Sequence, residues 1–320
     1  MRIFQQENPD YLAVVFVFFK SFRHEIYEGY KGTRAKMPDD LRGQVERMRE
    51  IVDAFNIPRL ELENYEADDV LGSVAHWAAE EQGLGVKIIT GDKDLLQLVT
   101  DRVVVNLAGT KLSEAKDYFP EDVVEKMGVP PEKVVDLKAL SGDPSDNIPG
   151  VRGIGEKTAV KLLNEYGSLD GIYEHLDEIT GRAKSALEAG RESAYMSREL
   201  ARIVTDLDIK VNLDQARIDH FNPKAVENLF RELEFRSLVE QLNTLVGKMH
   251  PQATRSGQMD LFDQAASNLP ASEQPGLVKT TIVDTPERLQ ELAKVLSGAK
   301  QITFDTDTND HEHMHTRLVG

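Results

Sequence analysis

The chain has 320 residues, 40% of them hydrophobic, no cysteine and a formal net charge of −17 at pH 7. That length and apolar content suit one or two globular cores and exclude a disordered chain; no apolar run reaches membrane-spanning length, and the first ten residues lack the apolar centre of a signal peptide. Without thiols there is neither a disulfide nor a thiolate metal site, which fits a reducing cytoplasm and leaves oxygen or histidine as the only metal donors.

In chain order, Tyr11 to Phe19, Val86 to Thr90 and Val103 to Leu107 are continuous runs rich in β-branched and aromatic residues. Such runs predict strands buried on both faces of a parallel sheet. Helical patterns lie between them, over Pro38 to Phe55 and over Ala67 to Glu81, the latter with Leu71, Val74, Ala75 and Ala78 on one stripe. The alternation predicts an α/β fold with a mostly parallel sheet and flanking helices over residues 1–119, with ligands at the carboxyl ends of the strands. From about Pro120 strand signals stop. Helices are expected over Glu121 to Met127, Pro131 to Ser141, Glu156 to Tyr166, Leu169 to His175, Gly181 to Ala189, Glu192 to Val204 and Pro223 to Leu242, a helical unit over 120–246. Residues 247–277 read as a polar flexible linker, and 278–320 as a short further element with a helix from Pro286 to Leu296 and a strand from Gln301 to Asp305.

Three acidic clusters stand out: Glu66-Ala67-Asp68-Asp69, Asp92-Lys93-Asp94 and Asp143-Pro144-Ser145-Asp146. Each has a plain explanation, since acids favour a helix's first turn and solvated turns. Their recurrence at strand and helix junctions points instead to a site for hard divalent cations, which take several oxygen ligands from different segments. The turn Gly150-Val151-Arg152-Gly153-Ile154-Gly155-Glu156-Lys157-Thr158 follows at once. It misses the nucleotide-binding pattern Gly-x-x-x-x-Gly-Lys-Ser/Thr because Glu156 separates Gly155 from Lys157. The remaining reading is helix, tight glycine hairpin, helix, with backbone amides and a helix N-terminus offered to phosphate. Residues 20–49 carry eight basic against five acidic residues despite the overall charge. Within this stretch Arg23, Tyr30, Lys31, Arg34 and Lys36 could stack a base and neutralise a phosphate, or be an ordinary solvated loop.

At these residues the chain resembles the 5′ nuclease domain of bacterial DNA polymerase I, a relative of the flap endonucleases. The resemblance runs from about residue 3 to 245 through Phe22-Arg23-His24-Glu25, Tyr30-Lys31-Gly32-Thr33-Arg34, Tyr65-Glu66-Ala67-Asp68-Asp69, Thr90-Gly91-Asp92-Lys93-Asp94, Gly142-Asp143-Pro144-Ser145-Asp146-Asn147 and Gly153-Ile154-Gly155-Glu156-Lys157-Thr158. It implies a PIN-like nuclease core joined to a helical DNA-binding subdomain with a helix-hairpin-helix-like motif. Two Mg2+ or Mn2+ ions would be held by Glu66, Asp68, Asp69, Asp92, Asp94 and Asp146, with Asp143 ligating or behind them. Tyr30, Lys31 and Arg34 would belong to a mobile arch over the 5′ end and act on the phosphate. Arg23, Lys36, Gly150, Arg152, Gly153, Gly155, Lys157 and Thr158 would contact DNA, with K+ held by the hairpin carbonyls. The implied reaction is hydrolysis of a phosphodiester near a 5′ flap or other single-strand to double-strand junction, in replication and repair.

Two departures from the resembled family bear on activity. Its first strand, carrying an early metal-binding aspartate, would precede Met1, and the strand after Tyr11 should end in Phe-Asp where this sequence has Phe16-Val17-Phe18-Phe19. An impaired or inactive nuclease is therefore expected. Residues 278–320 resemble the start of the proofreading-exonuclease-like domain that follows in the same polymerase, with Asp307 in place of its glutamate; His311, His313 and His315 read as a polar loop. In the linker, Gln258-Met259-Asp260-Leu261-Phe262 resembles the short motif with which bacterial polymerases dock on the sliding clamp, so Gln258, Leu261 and Phe262 are candidate clamp contacts, the alternative being that they pack on the chain's own surface. A non-catalytic DNA-junction module and an RNA-directed nuclease are the competing readings; metal-dependent cleavage separates the first from a nuclease.

Overall fold

The computed structural model describes residues 1–16, 21–34, 37–109 and 115–249, and beyond them only positions 290, 292, 294, 297, 307, 308, 318 and 319. The chain divides into two units, Met1–Pro251 and Gln252–Gly320. Val17, Lys36, Gln258, Leu261, Phe262, the strand expected at 301–305 and the histidine tract lie outside the described residues. In the second unit, Asp307–Thr308 pairs antiparallel with Leu318–Val319.

In the first unit, β1 (Val14–Val15) runs parallel to β2 (Arg59–Leu60), and β3 (Val86–Thr90) runs parallel to β4 (Val103–Leu107). A third strand, β5 (Lys116–Tyr118), adds antiparallel to β4 and had no signal in the sequence, being only three residues long. Of the run expected from Tyr11 to Phe19, the pairing is confined to Val14 and Val15, with the Phe16 amide donating to the Leu60 carbonyl. β3 and β4 fall where the apolar runs place them, with Ile88, Val103 and Val105 packed, but burial on both faces does not hold: Lys87 and Ile89 of β3 are exposed and β4 alternates buried with half-buried residues.

The helices before the acidic loop are α1 (Arg23–Ile26), α2 (Asp39–Ala54), α3 (Ala67–His76), α4 (Pro120–Met127) and α5 (Val134–Ser141). α3 starts in a reciprocal capping box between Glu66 and Asp69 and passes into a wider π-helical turn, Trp77–Glu81. After the loop come α6 (Glu156–Tyr166), α7 (Leu169–Glu174), α8 (Gly181–Ala201), α9 (Pro223–Glu232) and α10 (Arg236–Met249).

Two helix boundaries differ from expectation. The pair predicted over 181–189 and 192–204 is one helix, α8, that continues through Gly190. A Cβ there would stand 2.8 Å from a Val151 methyl, so this glycine makes room for the hairpin, at a helix cost of about 1 kcal/mol. The helix predicted over 223–242 is broken instead, with Glu234 in the left-handed region at φ 59°. The break lets Val226 and Phe230 of α9 and Val239, Leu242 and Leu245 of α10 enter one cluster with Phe4 and Phe55.

One apolar core joins the sheet to the helical half. It runs from Ala75, Ile88 and Val105 through Leu137 and Leu140 to Leu163, Ile172 and Leu187. The acidic loop after α5 is thereby fixed against the carboxyl end of β3. Among the described residues no helix is long and apolar enough to cross a membrane.

Candidate metal and phosphate site

The site is assembled from four short segments. Glu66 caps α3, and Asp68 and Asp69 fill its first turn, where the helix dipole favours carboxylates. Asp92 follows β3 and caps the 3₁₀ turn Lys93–Leu98, its carboxylate accepting the Asp94 amide at 2.9 Å. Asp143 and Asp146 sit in a loop closed by paired backbone hydrogen bonds between Asp143 and Ile148 of 2.9 and 2.8 Å. That closure needs glycine at its root: Gly150 has φ 62°, and a Cβ on it would lie 2.2 Å from the Gly142 nitrogen. The fourth segment, 27–34, is tied to the same loop by the Lys31 amide on the Asp146 carbonyl at 2.9 Å and the Asn147 side-chain amide on the Gly29 carbonyl at 2.6 Å.

Arg23, Tyr30, Glu66, Asp68, Asp94 and Asp146 line a space of about 10 Å³, room for roughly one water. Cations take up much of the charge. The Lys31 ammonium is 2.7 Å from Glu66 and 3.5 Å from Asp146, and Arg34 pairs with Asp146. The Tyr30 hydroxyl lies 3.1 Å from Glu66 and 3.2 Å from Asp146. Burial and those two carboxylates hold the phenol well above its usual range, so it remains a neutral donor.

A lysine that sequence reasoning missed, Lys138, completes the other side. Only 4% exposed, it donates to Asp143 at 2.6 Å and pairs with Asp94. Burial would raise the Asp143 carboxyl, but Lys138 and Ser145 hold it well below the usual carboxylate range. The signal was present as a lone ammonium within the otherwise packed α5, five residues before the acidic loop.

Asp68 has no hydrogen bond or ion pair among the described residues, although the Lys31 charge acts on it. Burial first, and then the Asp92 charge, push its carboxyl up to about 7. Asp94 is also raised, by burial foremost, in spite of Lys138. The cluster thus holds more negative charge than its own cations offset, and all its donors are carboxylate oxygens, the chemistry a hard divalent cation takes. Among the described residues no three Asp, Glu or His side chains converge in a ready-made chelate. With like charges repelling and Lys31, Arg34 and Lys138 drawn in, the oxygens face these cations rather than one shared point.

Four expected roles meet a different geometry. Asp69 is 0% exposed, and its oxygens receive four donors: two from Arg23 at 2.7 Å, the Val204 amide at 2.9 Å and the Glu66 amide at 3.0 Å. It has turned away from the cluster, with its lone pairs already engaged. Arg23, 2% exposed, also donates to the Leu200 and Arg202 carbonyls, so it joins α1 to the end of α8 and cannot reach a DNA phosphate. Tyr30 is buried and offers no face for stacking a base. Gly150 is buried too; Ser197 accepts from its N–H at 3.0 Å and Ser193 donates to its carbonyl at 2.6 Å, so α8 braces the hairpin from behind. Arg152, Gly153, Gly155 and Lys157 are exposed, Thr158 is half-buried, and Gly155 caps α6.

A small α/β sheet whose strand ends carry a carboxylate cluster, joined to a helical unit through a glycine hairpin, defines a nuclease-type fold. It is shared with the bacteriophage T5 D15 protein co-crystallised with metal ions, at a TM-score of 0.53 and 23% identity over 72% of this chain and 85% of that one. A second T5 structure, the D15 flap endonuclease variant in complex with DNA and metal ions, superposes with a TM-score of 0.52 at 21% identity, covering 78% of this chain and 88% of that one.

Residues 1–128 match the family of the 5′-3′ exonuclease N-terminal resolvase-like domain, and residues 129–224 that of the 5′-3′ exonuclease C-terminal SAM fold. The DNA polymerase I of Bacillus subtilis is 43% identical over 76% of this chain and 28% of its own length, and that of Chloroflexus aurantiacus 39% identical over 98% and 35%. The chain belongs to the 5′-3′ exonuclease family of bacterial DNA polymerase I. It spans about a third of the length of these relatives.

Proposed function

We propose that this chain hydrolyses DNA phosphodiesters at 5′ flaps and single-strand to double-strand junctions, as the 5′-3′ exonuclease part of a DNA polymerase I acting in replication and repair in the cytoplasm. The observation that carries this reading is the surplus of carboxylates at the carboxyl end of β3, where burial and the Asp92 charge push Asp68 up to about 7 in spite of Lys31. Glu66, Asp68, Asp92, Asp94 and Asp146 would hold two Mg2+ or Mn2+ ions, with Asp143 ligating or orienting. When bound, the ions supply an activated water and offset charge on the leaving oxygen. Lys31 and Arg34, already at the cluster, bind the phosphate and offset its charge; Tyr30 keeps Glu66 and Asp146 together from below. Asp69 supports this arrangement through Arg23 and is not among the ligands we assign.

In this division residues 1–119 cut and 120–246 grip. The exposed Arg152, Gly153, Gly155, Lys157 and the amide end of α6 at Thr158 track duplex backbone, with K+ on the hairpin carbonyls. Gln258, Leu261 and Phe262 remain our candidates for sliding-clamp docking, on sequence alone. Because position 17 is valine where an aspartate is expected, we place turnover below that of a relative with the acid.

The test is cleavage of a 5′-flap duplex by the purified chain with magnesium and with EDTA. Magnesium-dependent release of the flap, increased by Val17→Asp, is the expected result. Tight binding without cleavage in either protein points to a non-catalytic junction module instead.

A further inference from the structure

Beside the acidic cluster the surface opens into a cavity of about 430 Å³, lined by Arg34, Gly91, Asp92, Lys93, Leu107, Lys126 and Ser145. It is an open depression on the surface and not an enclosed pocket, whereas the space within the cluster admits about one water. Three cations reach it from three separate elements: Arg34 from the segment after Tyr30, Lys93 from the turn after β3, and Lys126 from the last turn of α4. Lys93 and Lys126 are both exposed and form no ion pair among the described residues; Lys126 rests at 5.3 Å over the Tyr118 ring. The other basic groups near the cluster are already engaged, Lys31 with Glu66, Arg34 with Asp146 and Lys138 with Asp94 and Asp143.

Asp92 belongs to both the cluster's electrostatics and the cavity wall. A polyanion entering the site must therefore place one phosphate at the carboxylates, where cations are needed to receive it, and its neighbours a short distance away. A nucleic-acid strand carries a charge about every 3.4 Å along its axis, so an adjacent phosphate falls within the reach of this cavity. The open floor supports this: a Cβ added to Gly91 would meet nothing within 4 Å, and Leu107 supplies an apolar patch for a sugar.

We propose that the cavity is a subsite for the nucleotide next to the scissile bond on the cleaved strand, with Lys93 and Lys126 binding its backbone phosphate. This rests on the nuclease reading above and adds to it two positioning residues beside Asp92. Two lysines from independent elements hold the strand in register, so their loss weakens ground-state binding more than it slows the bond-breaking step.

The experiment is binding of a fluorescent 5′-flap DNA duplex to the full chain with calcium in place of magnesium, so that cations occupy the carboxylates, with the flap checked to be intact, as a function of salt. The double variant Lys93→Ala/Lys126→Ala is expected to bind about 5- to 20-fold more weakly, and its slope of log affinity against log salt to fall by about 1.5, roughly 0.7 to 0.9 for each lysine removed. Lys93→Arg/Lys126→Arg restores binding, and Lys224→Ala on the remote α9 leaves it unchanged. Replacing one backbone phosphate at a time by methylphosphonate locates the subsite: at the position beside the scissile bond the wild type loses affinity and the double variant loses no more. If the wild type binds the flap and the double variant matches it in affinity and slope, the subsite is wrong while the nuclease reading stands. If the double variant's loss is the same whichever phosphate is neutralised, the lysines act only through their general field and the subsite is overturned. A wild type that neither binds nor cleaves the flap overturns the nuclease reading and the subsite with it.

Discussion

Asp68 and Asp69 are neighbours in the first turn of α3, yet they face two regions with opposite electrostatics. Behind the helix, Asp69 meets Arg23 and two backbone amides in a buried joint where each carboxylate oxygen accepts two hydrogen bonds. In front of it, Asp68 looks onto Asp92, Asp94 and Glu66 without a hydrogen-bond partner among the described residues, and burial with the Asp92 charge pushes its carboxyl up to about 7. The difference separates structural from functional charge. A carboxylate whose partners are complete consolidates the fold, and one left in deficit stores an affinity for cations that the fold itself does not satisfy.

The comparison breaks most visibly on its inner side. Arg23→Ala leaves Asp69 as an uncompensated buried charge, and we expect a loss of about 3–5 kcal/mol in urea-unfolding stability, with or without magnesium. An effect under about 1 kcal/mol would show that the joint is dispensable.

The outer side predicts a smaller change with a definite sign. Asp68 has a folded-state pKa raised from 3.8 to about 7, so the folded chain binds the extra proton between those values. Its contribution to stability is full below about pH 4 and is lost as pH rises through about 7. Metal-free Asp68→Asn should therefore be more stable than the wild type at about pH 8 by about 1–2 kcal/mol after allowance for solvent screening, and equal to it at about pH 4. Unfolding curves that stay parallel across this range would remove the repulsion argument.

The smallest effect belongs to the hairpin, far from both aspartates. Lys157→Ala is expected to weaken duplex binding only about two- to five-fold and to reduce the salt slope by about 0.9, with cleavage per bound complex unchanged. A change in the cleavage step instead would link the hairpin to the cluster.

How much was legible follows from the range of the physics involved. β3, β4 and α6 could be read directly, because an apolar run or an amphipathic repeat bounded by glycine is a local signal. The continuity of α8 through Gly190 was not, since the reason for that glycine is Val151 from a distant turn. Neither was the break at Glu234, which depends on both α9 and α10 covering Phe4 and Phe55. In the site, the acidic clusters and Lys31 and Arg34 announced themselves by composition. Arg23, Tyr30 and Gly150 were readable as residues near the site but not as buried ones. Lys138 went unread because a lone lysine in a helix is ordinarily solvated, and only the fold puts it between Asp94 and Asp143.

By itself, then, the sequence determined which chemical groups are available: oxygen donors in three clusters, a phosphate-type glycine turn, and the residues by which the family is known. Only the tertiary structure decided which carboxylates remain in deficit. Spacing along the chain sets what a residue can do, but its charge state and partners depend on the number of donors that segments up to 135 residues away bring to it, as Val204 does to Asp69.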